Sequence, residues 1–106
     1  KNNRLVKLLK LEQERPSEPF IQFAIARELQ LADQLDQARE RYQALIESEP
    51  NYTGTYYHLG KLYEQLSLVK EAKEIYSRGI DICSKLNAAN DLREITQALN
   101  NLENES

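Results

Sequence analysis

The sequence predicts an all-α fold: a solenoid of antiparallel helix pairs, six helices in all. Three observations carry this. Gly and Pro number only three each in 106 residues, against an abundance of Leu, Glu, Gln, Ala, Lys and Arg, a balance that favours long helices and short connections. The chain aligns with itself at an offset of 34 residues. The positions that match are apolar or small and recur at helical spacing, not as a run of shared surface residues.

At that offset Ile25 falls on Leu59, Ala26 on Gly60, Leu29 on Tyr63, Leu35 on Val69, Ala38 on Ala72, Tyr42 on Tyr76 and Ile46 on Ile80. Each copy holds two helices, A then B, expected at 19–32 and 36–48 in the first and at 53–66 and 70–86 in the second. The small residues at Ala26, Gly60, Ala38 and Ala72 mark places where helices approach closely, because a larger side chain would force them apart. The tyrosines Tyr42, Tyr63 and Tyr76 are expected to fill the space between successive hairpins, each burying a ring while its hydroxyl reaches a partner.

The second copy reads Tyr56-x-x-Leu59-Gly60-x-x-Tyr63, then Ala72-x-x-x-Tyr76. This resembles the signature of the tetratricopeptide repeat (TPR) family. The first copy keeps Ile25-Ala26-x-x-Leu29, Ala38-x-x-x-Tyr42 and a closing Pro50, with Gln22 in place of the leading aromatic. The resemblance covers residues 19–86 and implies a right-handed superhelix. Two departures stand out. Asp33 and Ser67 occupy the A-to-B turn where the family usually has Gly, and Ser84 stands where the closing Pro of the second copy belongs. The last B helix is therefore expected to run on to Leu86.

The pattern extends to both ends, as one domain over 1–106: a B-type helix at 3–14, repeat 1 at 19–52, repeat 2 at 53–86 and a capping helix at 89–103. In the first helix Leu8 takes the aromatic position, Leu11 the small one, and Pro16 closes it; Pro19 suits the first turn of the next helix. In the last, Leu92, Ile95, Ala98, Leu99 and Leu102 form a single stripe, as expected of a cap with one wet side. The leucines and valine of the first helix cover more than one packing face needs. Leu5, Val6 and Leu9 are thus candidates for a homodimer interface. The chain opens at Lys1 and lacks Met, which predicts a trimmed native N-terminus.

Composition narrows function. The net charge is −3; residues 1–15 carry five basic and two acidic residues, and the remainder nine basic and fifteen acidic. A basic end with Lys1, Arg4, Lys7 and Lys10 on an acidic whole gives no general attraction to nucleic acid or an anionic membrane. No apolar run approaches the roughly 18 residues that cross a bilayer, and the start carries no signal-peptide pattern. A lone cysteine, Cys83, fits a reducing compartment, and a cytoplasmic location is expected. Catalysis needs convergent groups, and there is no Gly-rich phosphate loop, no His-Glu-x-x-His and no Cys pair. His58 and Cys83 fall on different helices, so no catalytic residue, metal ligand or cofactor is expected, and no enzyme.

What remains is a groove. The TPR resemblance implies that A helices line a concave face that binds peptides or protein tails. Carried over by position, that face holds Phe23, Arg27 and Gln30, then Tyr57, His58, Lys61 and Glu64, then Arg93, Glu94 and Gln97. Arg27 and Lys61 occupy one repeat position, beside Phe23 and Tyr57, a strip suited to a protein or peptide bearing acidic side chains or a C-terminal carboxylate. Some relatives clamp chaperone tails with Lys, Asn and Arg. Here Phe23 stands for the clamp's first Lys, Arg27 for its first Asn and His58 for its second Asn, so that particular ligand is not expected.

Overall fold

In the computed structural model of the chain, residues 3–105 are described; Lys1, counted above in the basic end, lies outside them. Among the described residues there are six helices and no strand: α1 (Asn3–Glu14), α2 (Pro19–Leu31), α3 (Leu35–Ser48), α4 (Gly54–Gln65), α5 (Val69–Leu86) and α6 (Ala89–Glu105). Bounds fall within two residues of expectation. The chain sorts into two compact units, Lys1–Glu49 and Pro50–Ser106. In the first, α2 packs on α3 and α1 packs on α2; in the second, α5 packs on both α4 and α6.

Three helix ends share one device. Asp33, Ser67 and Asn87 have φ of 62°, 61° and 57°, the left-handed region that costs a non-glycine residue about 1–2 kcal/mol. Beyond each, the next amide reaches back over the helix end: Gln34 N–H to the Leu29 carbonyl at 2.9 Å, Leu68 to Tyr63 at 2.8 Å and Ala88 to Cys83 at 2.9 Å. These are Schellman closures, which satisfy carbonyls that a helix end would leave bare. Asp33 and Ser67 thus do the work expected of Gly at those turns. α5 continues past Ser84 because nothing breaks it until Asn87.

The cores are built on the matched positions. Ala26, Ala38, Tyr42, Tyr56, Ala72 and Tyr76 are wholly buried. A Cβ on Gly60 would lie 2.1 Å from Cε1 of Tyr76, so this glycine is required by the ring that crosses it. That places the Tyr76 ring inside its own helix pair rather than in the expected gap between successive pairs. Its hydroxyl donates to Glu64 at 2.5 Å, and that of Tyr42 donates to Gln30 at 2.7 Å, each acceptor twelve residues earlier on the A helix.

A second close approach has partners that the repeat did not reveal. A Cβ on Gly79 would lie 2.6 Å from Cβ of Tyr56 and 3.0 Å from Cδ1 of Ile95. At the offset of 34, Gly79 matches Leu45, and Tyr56 matches Gln22. The two copies solve one contact in opposite ways: an aromatic against no side chain in the second, a slender amide against a buried leucine in the first.

α1 needs one correction. Leu8 is buried as expected, but Leu11 is exposed, because no A helix lies on that side of it among the described residues. α1 is instead tied down by Arg41 of α3, whose guanidinium pairs with Glu12. In the second unit the Thr53 hydroxyl donates to Asp91, joining the starts of α4 and α6.

Three outcomes follow for stability. Gly60→Ala gains about 1 kcal/mol of helix propensity but overpacks an anchored ring, and we expect a net loss of about 1–3 kcal/mol in denaturant melts. Thr55 is fully buried and its hydroxyl has no partner among the described residues, whereas the matching Ile21 is apolar. Thr55→Val should therefore raise stability by about 1–3 kcal/mol. Burial pushes the Tyr42 phenol up to about 12, against the opposing pull of Arg27, and burial together with the Glu64 carboxylate also raises Tyr76. The fold favours the neutral phenols, so their contribution is complete below pH 10 and declines as pH climbs through the folded values. The melting temperature should fall between pH 10 and about 12, and the fall should be shallower in Tyr42→Phe.

Candidate binding face

One face of α2 is exposed at its two ends and half-buried or buried between them. Phe20, Phe23, Ala24, Arg27, Glu28 and Leu31 recur at three- and four-residue steps, so they stack along one side of the helix. With Arg4 of α1 they line a cleft of about 320 Å³. Its two ends are apolar and open: Phe20 is 58% and Leu31 68% exposed. Between them Arg4 Nε meets Glu28 Oε2 at 2.9 Å, and the Phe23 ring packs at 6.3 Å on Tyr42, tilted by 56°. Arg27 lies between the cleft and the core. Its guanidinium is close enough to the Tyr42 hydroxyl to favour the phenolate, against the burial that pushes the phenol's pKa up.

The first unit thus brings together Phe23 and Arg27 of the expected row. It adds Phe20, Leu31, Arg4 and Glu28, which position-by-position transfer missed. Extending the Phe23–Arg27 face by one turn in each direction would have found Phe20 and Leu31. Gln30 is placed differently: its Oε1 accepts the Tyr42 hydroxyl, so it serves the helix pair before any ligand.

In the second unit, Tyr57 and His58 make an edge contact on α4, with ring centroids 5.2 Å apart and planes at 84°. Lys61 is exposed, and its Nζ is 3.9 Å from Glu64 Oε2, at the outer limit of an ion pair. Glu64, like Gln30, accepts a core tyrosine. Arg93 and Gln97 share a cleft along α6, where Arg93 donates to Asn90 at 2.6 Å and Gln97 to Asn101 at 2.9 Å. Glu94 is exposed on the same helix. Cys83 is buried, and burial pushes its thiol up, the state of an inert packing residue. Among the described residues no group of three or more His, Cys, Asp or Glu is placed to hold a metal ion, and no helix is long and apolar enough to cross a membrane.

No family model matches the sequence, and no curated protein does. Solved structures do. The solution structure of a tetratricopeptide repeat domain protein from Salinibacter ruber is 36% identical, with 86% of this chain and 92% of that one covered and a TM-score of 0.82. A crystal structure of a tetratricopeptide repeat domain protein from the same organism gives 36% identity, 84% and 99% coverage and a TM-score of 0.80. The TPR2B domain of yeast Sti1, solved as a complex with pHsp70, superposes with a TM-score of 0.87 over 96% of this chain and 82% of that one; at 16% identity the likeness is one of fold. The spacing, the helix pairs and a relative at 36% identity agree, and the chain belongs to the tetratricopeptide repeat family.

Proposed function

We propose that this chain is a protein- or peptide-binding scaffold that works through the solvent-facing sides of its A helices, and that its ligand carries acidic side chains or a terminal carboxylate. One observation carries the reading: Phe20 and Leu31 stand exposed at the two ends of a cleft that has Arg27 between them. Large apolar side chains left open on both sides of a cation are costly on a surface with nothing to bind. The second unit repeats the chemistry at matched positions, with Tyr57 and Lys61 in the places of Phe23 and Arg27. The Sti1 neighbour, a domain of the same fold held in a complex with pHsp70, supports a protein or peptide as the ligand class.

Charge supplies attraction that salt screens, and the aromatics supply apolar contact that salt does not. The test is a titration of the partner peptide, recovered by pull-down, at two ionic strengths. Arg27→Glu with Lys61→Glu should abolish binding, while Tyr57→Ala should weaken it up to about tenfold and leave the salt slope intact. If neither variant changes affinity, the ligand lies elsewhere.

A second reading is self-association through α1. Val6 and Leu9 are exposed there, and Leu5 is half-buried. The same helix carries Arg4, Lys7 and Lys10 with no acidic residue in its first turn, so a symmetric contact that aligns two α1 helices in parallel brings like charges together. Scaffolding is the better supported of the two. Light scattering decides: a concentration-dependent dimer that Val6→Glu dissociates without loss of helicity would establish self-association.

A further inference from the structure

α6 is an A helix with no B helix of its own among the described residues; it packs on α4 and α5. Two residues inserted after the second repeat bring Leu92, Ile95, Thr96 and Asn100 onto Tyr56, Leu59, Gly60 and Glu64. Ile95 keeps that register, buried as Leu59 is. On α4, Tyr56, Gly60 and Glu64 are the row that receives α5: Tyr56 lies against Gly79, and Gly60 and Glu64 meet Tyr76. On α6 the same row is open. Leu92 and Thr96 are half-buried, Asn100 is exposed, and all three line a cleft of about 410 Å³. α1 shows the converse. Two steps of 34 back from Tyr76 and Gly79 stand Leu8 and Leu11, a B-type row with no A helix before it among the described residues, and Leu11 is exposed.

We infer that α6 of one copy of this chain receives α1 of a second copy, the two helices completing an A–B pair across a head-to-tail contact. Bulk matches. The first repeat sets Tyr42 over Ala26 and Leu45 beside Gln22; the same positions between copies set Leu8 over Thr96 and Leu11 beside Leu92. Tyrosine over alanine becomes leucine over threonine, and leucine beside glutamine becomes leucine beside leucine, so each contact keeps nearly the same total volume. Charge matches as well. A and B helices run antiparallel, which brings the start of α1 beside the end of α6. The first carries Arg4 and Lys7 with no acidic residue in its first turn; the second carries Glu103 and Glu105 with no basic residue in its last turn. A parallel α1–α1 contact gathers like charges, and this one gathers opposite charges. The contact is heterologous, so every copy holds one face of each kind. It is independent of the peptide-binding reading, because Arg27 and Lys61 take no part in it.

Light scattering on the purified chain at concentrations up to about 1 mM reads the contact. The average mass of wild type is expected to rise with concentration. Leu11→Lys places a charge on the α1 side and Thr96→Lys places one on the α6 side, and neither charge has a partner in the pair. Each variant alone should stay monomeric with unchanged helical circular dichroism. Mixed in equal amounts, the two should form a one-to-one dimer, because each keeps the face that the other has lost. A symmetric α1–α1 contact gives no such complementation. Val6 lies about 140° round the helix from Leu11, so Val6→Glu should leave the association intact. If Thr96→Lys fails to fold, Asn100→Lys at an exposed position of the same row takes its place. A wild type that stays monomeric, a single variant that still associates, or a mixture that stays monomeric would each overturn the assignment.

Discussion

The tyrosine of each B helix and its acceptor twelve residues earlier set the terms for the rest of the structure. A phenol placed in the seam of a helix pair must find a partner, since a buried hydroxyl left unpaired costs about 1–3 kcal/mol. Tyr42 finds Gln30, and Tyr76 finds Glu64. That bond fixes how far the B helix slides along the A helix. It also requires a short turn between them, which the left-handed Asp33 and Ser67 supply, and a small residue beneath the ring, which Ala26 and Gly60 supply. Two residues that read from sequence as groove residues are thereby committed to the fold.

Much of this was legible because repetition shows twice what a single helix pair shows once. The helix bounds and the small positions followed from spacing, and the special turns at Asp33 and Ser67 and the run of α5 to Leu86 from the resemblance to the repeat family; Asn87 gave no such sign. What escaped was what the copies do not share. Gly79 stands at a position read as small, yet the other two copies have Leu11 and Leu45 there, and only the ring of Tyr56 explains why it must be bare. The role of Gln30 and Glu64 was hidden because a half-buried polar residue reads the same whether it faces a ligand or a tyrosine. The unpartnered Thr55 looked like an ordinary second residue of a helix. Phe20 and Leu31 fit an apolar stripe equally well buried or bare; only the packed structure tells which.

The proposed binding face and the core meet at Arg27. Its guanidinium sits beside the Tyr42 hydroxyl, whose own proton goes to Gln30. An anion placed on Arg27 from the cleft would draw charge away from that hydroxyl, so occupancy of the face and the ionisation of a buried tyrosine are linked. The phenol's absorbance in alkali is thus a reporter of the cleft carried by the chain itself.

The exchange of bulk between the copies bears on how such chains lengthen. Tyr56 with Gly79 and Gln22 with Leu45 are matched sets, each drawn from both helices of one copy. Crossing them would set a phenol ring against leucine in one hybrid and leave an amide opposite bare backbone in the other. Half-copies are therefore not interchangeable parts. Gene duplication or recombination that respects the 34-residue frame but cuts inside a helix pair would produce misfits, so the heritable module is the whole hairpin with its own complementary pair.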